Sequence, residues 1–172
     1  MGLIPSKINM FNVYDRGERC VGISDEVNLP DFESMTETLS GPGILGEIDD
    51  PTLGQFGSME MEIPFVTLTQ SMFKLIGNNN VVNATLRGSI QMTNPETGEI
   101  NNVGMRIAVR GMLKGITGGS VKQGQGTKSS IKIEITYILI EIGAKQVIEL
   151  DKLNFVYKIN GKDLLERIRK LC

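Results

Sequence analysis

The sequence predicts a mostly-β protein, an antiparallel β-sandwich or barrel, and three observations carry that prediction. Apolar and polar residues alternate with period two in segment after segment, as in Met59-Met61-Ile63-Phe65 and Ile131-Ile133-Ile135-Tyr137-Leu139. Gly- and Pro-bearing turns separate these segments. Helical spacing is confined to two short stretches, about 67–77 and about 163–171. At 172 residues the chain is long enough for one well-filled core, so a single domain spanning 1–172 is expected.

Taken in order, Lys7 to Ile23 reads as a hairpin turning at Asp15-Arg16-Gly17-Glu18, where Gly17 supplies positive φ. Val27–Leu29 continues extended until Pro30, and Phe32–Leu39 is a further strand. A Gly- and Pro-rich excursion, expected as a long extended loop over about 40–57, has no apolar period of its own. Ser58–Phe65 alternates cleanly. Leu68, Met72, Leu75 and Ile76 share a helical face, with Thr67 or Thr69 as N-cap and Gly77 or Asn78 as the stop. Val82–Thr93 and Val103–Leu113 are strands joined by the Asn94-Pro95-Glu96-Thr97-Gly98 turn. Residues 115–129 read as a mobile loop, Ile131–Ile142 as the longest strand, and 146–157 as two shorter ones. A capping box, Asp163-Leu164-Leu165-Glu166, is expected to open the C-terminal helix, and Arg167, Arg169 and Lys170 suit its negative end. The count is roughly eight or nine strands and two short helices.

Charge is segregated along the chain although the net charge is only −2. Residues 20–73 hold no Lys or Arg but ten acids, whereas 100–133 hold Arg106, Arg110, Lys114, Lys122, Lys128 and Lys132 with no acid. Solvated strand faces are one reading. The other is a pair of complementary surfaces, acidic and basic, that join copies head to tail.

Chemistry is sparse. The chain has no histidine, which removes the commonest general base and metal ligand together with every Ser/His or Cys/His nucleophile. Its two cysteines, Cys20 and Cys172, form no CxxC pair. Gly41-Pro42-Gly43-Ile44-Leu45-Gly46 matches GxGxxG literally, but no buried strand precedes it, and Pro51, Gly54 and Gly57 preclude a long helix behind it. Asp49-Asp50 lacks the ligand spacing of a calcium loop. Neither an enzyme, a cofactor nor a metal site is expected. The longest apolar run, Tyr137–Ile140, ends at Glu141, so no membrane span is expected, and the lipidation-like Met1-Gly2 start has no polybasic neighbour.

Several segments, in this order, resemble the major tail tube proteins of contractile-tailed phages and of R-type, phage-tail-like bacteriocins. They are Lys7–Tyr14, Val27–Pro30, Thr36–Gly41 with Gly43, Gly46–Asp49, Ser58–Glu62 and the closing Asn160–Arg169. The resemblance spans nearly the whole chain. It implies a β-sandwich or barrel protomer that forms hexameric rings, stacked into a hollow tube inside a contractile sheath. Four strands per subunit would line the channel, and a long loop would contact the next ring. About twenty-four strands ~4.8 Å apart and tilted ~40° give a backbone radius on the order of 24 Å, wide enough to admit duplex DNA.

By this resemblance the stacking loop comprises Ser40, Gly41, Gly43, Gly46, Glu47, Asp49, Asp50, Gly54 and Gly57. Lumen-facing candidates are Glu60, Glu62, Thr85, Arg87, Ser89 and Gln91, an acidic lumen being favourable for releasing DNA and Arg87 the departure from it. Arg106, Arg110, Lys114, Lys122 and Lys128 would form the complementary basic surface. Implied partners are further copies of the chain, the tail sheath protein, baseplate and tail-terminator proteins, the tape measure protein in the lumen, and DNA passing through without sequence-specific binding in a phage; a bacteriocin tube would conduct ions. Assembly would take place in the host cytoplasm, before release in a virion or particle tail. The tube of a type VI secretion system (Hcp-like) shares the architecture. A monomeric β-sandwich binding module, for instance for carbohydrate, is the alternative of a different class, and it would need aromatic platforms from a chain with three Tyr and no Trp.

Overall fold

The computed structural model describes residues 2–172, so Met1 of the lipidation-like start lies outside it. Its strands are β1 (Ile4–Asp15), β2 (Glu18–Arg19), β3 (Ser34–Leu39), β4 (Ile48–Phe56), β5 (Glu60–Phe65), β6 (Val81–Thr93), β7 (Ile100–Thr117), β8 (Ser129–Ile142), β9 (Lys145–Asp151), β10 (Val156–Ile159) and β11 (Lys162–Asp163). Its helices are α1 (Gln70–Leu75) and α2 (Glu166–Leu171). One antiparallel sheet runs β11-β10-β9-β8-β7-β6-β1-β2, and β5 also pairs with β8. The predicted mostly-β, sandwich-like architecture with two short helices is the one observed.

β8 organises the sheet. It pairs with β7 along its length, while its other edge is shared: Ser129–Glu134 take β5 and Tyr137–Ile142 take β9. The two halves meet at Thr136, left unpaired where the register steps from Arg110–Tyr137 to Gly111–Ile135. A bulge of this kind bends the strand and increases its twist, so the sheet divides into two leaves there. The Thr136 hydroxyl donates to the Arg110 carbonyl (3.1 Å), and its carbonyl accepts from Lys152 N (3.0 Å).

One face of the sheet builds the core. Val13, Val82, Ala84, Leu86, Ile107, Val109, Ile133, Ile138 and Leu150 are buried there, joined by Met61, Ile63 and Phe65 of β5 and by Met72 and Leu75 of α1. Each such Val, Leu, Ile, Met or Phe side chain contributes about 1.5–3 kcal/mol of burial. α1 begins as expected: the Thr69 hydroxyl accepts from Met72 N.

Two expectations are corrected. The 40–57 excursion is not a loop throughout: β4 pairs with β3 in the register Leu39–Ile48, Thr38–Asp49, Glu37–Asp50 and Thr36–Pro51. It is therefore a hairpin arm, ordered within its own chain, with a turn at 40–47. Pro51 is tolerated because β4 pairs on one side only. Nor does Asp163 open a capping box. It ends β11, its carboxylate accepting from Leu165 N (3.0 Å) and pairing with Arg169 (2.6 Å), so α2 starts at Glu166 without a side-chain cap. The preceding Asn160-Gly161 turn, with φ of 51° and 80°, folds β11 back on β10 and preempts the helix.

The arm is fixed at its root by aromatic packing. Phe56 lies edge-on to Phe32 (5.9 Å) and to Tyr157 (5.2 Å), and Lys152 Nζ donates to the Gly57 carbonyl. Phe56→Ala is expected to cost about 2 kcal/mol, because a half-buried ring in two aromatic pairs is lost. Hydrogen exchange should then quicken in β3 and β4 well before β7 and β8. Uniform acceleration across the sheet would refute this local anchoring.

Candidate assembly surfaces

Three surfaces stand out beyond the core. The first is the arm. Gly41, Gly43 and Gly46 have φ of 152°, 92° and 92°, and Ile44 N donates to the Gly41 carbonyl, so the GxGxxG match is turn geometry leading into a strand. Ser40, Glu47, Asp49 and Asp50 are exposed, and Leu45 is wholly so. Gly54 and Gly57 belong to the root instead. Gly54 has φ of 76°, which favours glycine, and a Cβ there would lie 2.8 Å from Leu165 Cδ1, so the leucine would have to shift where β4 crosses it. Glu37 directly opposes Asp50, and Asp49 has only the Thr38 hydroxyl (3.1 Å). Among the described residues, the arm's acids thus face no cation of their own.

The second surface is the face of the sheet opposite the core. Thr85, Arg87, Ser89 and Gln91 lie on it by register, as predicted for one face, but Arg106 and Arg110 lie there too, opposite Arg87 and Asn83. Arg106 and Arg110 of the basic set therefore share this face with the lumen candidates. Arg87 stacks over Tyr14 (5.6 Å) and Arg110 over Tyr137 (5.0 Å), while Arg106 Nε donates to Glu141 Oε2 (2.7 Å). This hydrogen bond holds the Glu141 carboxyl below its usual range and raises Arg106. Burial, then the Glu149 carboxylate, pushes the Tyr137 hydroxyl up. Toward the β5 end, Lys114 pairs with Glu60, and Glu134 accepts from Ser58 Oγ (2.8 Å) and Met59 N (3.2 Å). Glu62 sits opposite Lys132. The face is thus a charge-balanced mixture rather than acidic, and Lys114 is already neutralised within its own chain. Lys122 and Lys128 lie elsewhere, exposed in the loop before β8.

The third surface was not recognised in the sequence. The first half of β1, the second half of β6 and the start of β7 form a ribbon that runs past the core. β2 pairs only with Tyr14 and Asp15, and β8 reaches β7 only from Met105 onward. The outer edge of β1 from Ile4 to Asn12 thus has no ladder partner, and Ile4, Ile8, Met10 and Ile100 are exposed around it. Their alternation reads like that of any strand. Only the register reveals that none of the described residues covers them.

Among the described residues, no group of three or more His, Cys, Asp or Glu side chains is placed to hold a metal, and both cysteines are free, Cys20 buried and Cys172 exposed. Among the described residues, no helix is long and apolar enough to cross a membrane.

Such a molecule presents strand edges, an arm and a broad polar sheet rather than a catalytic pocket. The chain belongs to the phage tail tube protein FII family, whose model matches residues 5–171. It is 29% identical over 173 residues to the tail tube protein of Escherichia phage P2 (97% of this chain, 96% of the relative). It is also 27% identical over 167 residues to the major tail tube protein of Serratia phage KSP20 (94% and 91%). Its fold matches the sheath/tube terminator of an extracellular contractile injection system with a TM-score of 0.52 at 16% identity, covering 80% of this chain and 96% of that one. The protein is a structural component of a phage tail, not an enzyme.

Proposed function

We propose that this chain is the repeating protomer of the inner tube of a contractile tail, closing into hexameric rings that stack into a hollow conduit. The observation that carries this reading is the ribbon with its open β1 edge. Unpaired strand groups of this length template pairing with another chain unless they are blunted or covered, and a ring of identical copies covers every one. β1, β6, β7 and β8 are the four adjacent long strands of the sheet. With β5 and β9 on the outer edge of β8, copies join through the open edges of β1 and of the start of β7 (100–104), and these strands form the channel wall.

The face opposite the core, with Thr85, Arg87, Ser89, Gln91, Arg106 and Arg110, is then turned to the lumen. Its arginines are engaged by Tyr14, Glu141 and Tyr137, which reduces their hold on a passing phosphate backbone. The arm bridges successive rings, and Ser40, Gly41, Gly43, Gly46, Glu47, Asp49 and Asp50 are its stacking residues. The outside of the tube meets the sheath, its ends the baseplate and terminator, and its lumen the tape measure protein and then DNA. The carbohydrate-binding reading loses its platforms: Tyr14 and Tyr137 each lie under an arginine, and Tyr157 is buried.

The purified protein is expected to form rings and tubes in negative stain and to sediment far above monomer mass. A monomer at every concentration tested, with no ring or tube, would overturn the proposal.

A further inference from the structure

We propose that the cleft between α1 and the β1–β2 turn is the seat for the arm tip of a second copy in the adjoining ring. This rests on the tube-protomer reading and adds to it the acceptor surface.

The cleft holds about 710 Å³ and is lined by Arg16, Phe73, Lys74, Asn78, Asn79 and Val81, among others. Phe73 and Val81 are exposed there although both are large apolar residues. Neither Arg16 nor Lys74 takes part in an ion pair among the described residues; the acid next to Arg16 is its chain neighbour Asp15. The floor is rigid. Gly77 N donates to the Val81 carbonyl (3.1 Å), a Cβ on Gly77 would lie 2.8 Å from that oxygen, and Leu113 N donates to Asn80 O (2.9 Å). The site therefore offers two unpaired cations, an uncovered aromatic ring and asparagine amides.

The arm tip offers the complement. Leu45 projects at the turn, wholly exposed, and Glu47, Asp49 and Asp50 follow it with no cation of their own. Leu45 can cover Phe73 while Glu47 and one of the two consecutive β4 acids, Asp49 or Asp50, meet Arg16 and Lys74, which converts two unfavourable exposures and two unpaired charge sets into one contact. The arm makes no hydrogen bond or ion pair with α1 of its own chain among the described residues. Donor and acceptor are separate surfaces, and such a contact propagates from copy to copy. A second cleft, at the arm's root between Leu53, Phe155 and Ile168, lacks this complementarity. Its cations are occupied, Arg169 by Asp163 and the Phe155 carbonyl, Lys152 by the Gly57 carbonyl.

The test reverses the charges of the seat with Arg16→Asp/Lys74→Glu; Asp tolerates the positive φ of 47° at position 16. Assembly is read by pelleting and negative stain, and folding by circular dichroism and thermal melting. Rings should persist while the pelleted tube fraction falls on the order of tenfold, and adding Glu47→Lys/Asp49→Lys/Asp50→Lys to the same chain should restore tubes. Leu45→Asp, on a side chain free of its own fold, should give the same loss and guards against a seat variant that misfolds. Tubes of wild-type abundance from folded Arg16→Asp/Lys74→Glu, or no recovery in the combined variant, would overturn the seat while leaving the protomer reading intact. If the unsubstituted protein forms neither rings nor tubes, both fall together.

Discussion

Gly111→Ala is expected to unfold the protein, or to leave it only marginally folded. Gly111 is buried in the central strand β7, paired with Val82 on one side and Ile135 on the other, at the step in register opposite Thr136. A Cβ at this position would overlap the Glu134 carbonyl oxygen and approach Ile133 Cγ2 to 2.8 Å. Neither obstacle is the loose end of a flexible side chain. The oxygen is backbone, and moving it separates β7 from β8, the pair on which β5 and β9 also depend.

Overpacking a core by a methyl group commonly costs 1–3 kcal/mol, and a clash with ladder backbone belongs above that range, at about 4 kcal/mol. Stabilities of native proteins are roughly 5–15 kcal/mol, so most of the margin is removed. The melting temperature should fall by about 8–16 °C, or the protein should be recovered insoluble. Gly104→Ala, in the same strand but with no atom within 4 Å of the added carbon, is the control and should melt nearly as the parent does. An alanine-111 protein that melts within ~2 °C of the parent would show that the bulge relaxes freely.

The second large effect concerns assembly without folding. Glu47→Lys/Asp49→Lys/Asp50→Lys should leave the monomer at least as stable as before and reduce tubes to a small fraction of the parent yield. Stability is preserved because these side chains touch little within their own chain. Asp49 accepts one hydroxyl hydrogen bond, and Asp50 faces Glu37 across the hairpin. Placing Lys opposite Glu37 replaces a repulsive cross-strand pair with an attractive one, worth roughly 0.2–1 kcal/mol. Assembly suffers because an arm that carried three acids now carries three cations against whatever basic surface receives it. Paired measurements of melting and pelleting separate the two effects. A drop in melting temperature with unchanged tube yield would reverse the assignment and make these acids structural.

Much of the fold was legible in the sequence because its code is local. Period-two alternation depends only on successive side chains pointing to opposite faces, so Met61-Ile63-Phe65 and Ile131-Ile133-Ile135 announced buried strands without knowledge of their partners. Thr67 or Thr69 announced a helix start through a contact three residues away, and Thr69 is the one that caps it. Residues 48–56 gave no such signal. With two acids, a proline and a glycine they lack both alternation and β propensity, and they become a strand only because β3 lies beside them. The C-terminal segment failed in the opposite way. Asp163 and Glu166 have the spacing of a capping box, but the Asn160-Gly161 turn pairs β11 with β10 and engages the aspartate elsewhere.

The candidate surfaces divide along the same line. Composition and order alone determined that this is a mostly-β chain without histidine chemistry, carrying its acids and its bases in different stretches. Tertiary structure decided where those charges lie. Register placed Arg106 and Arg110 beside Arg87, Thr85 and Ser89 on one face, and it brought Lys114 against Glu60 from 54 residues away. It also left Arg16 and Lys74 unpaired beside an exposed Phe73. A charge is written in the sequence, but its partner is fixed by strand pairing across long separations, and only the folded sheet shows which charges remain for another copy to meet.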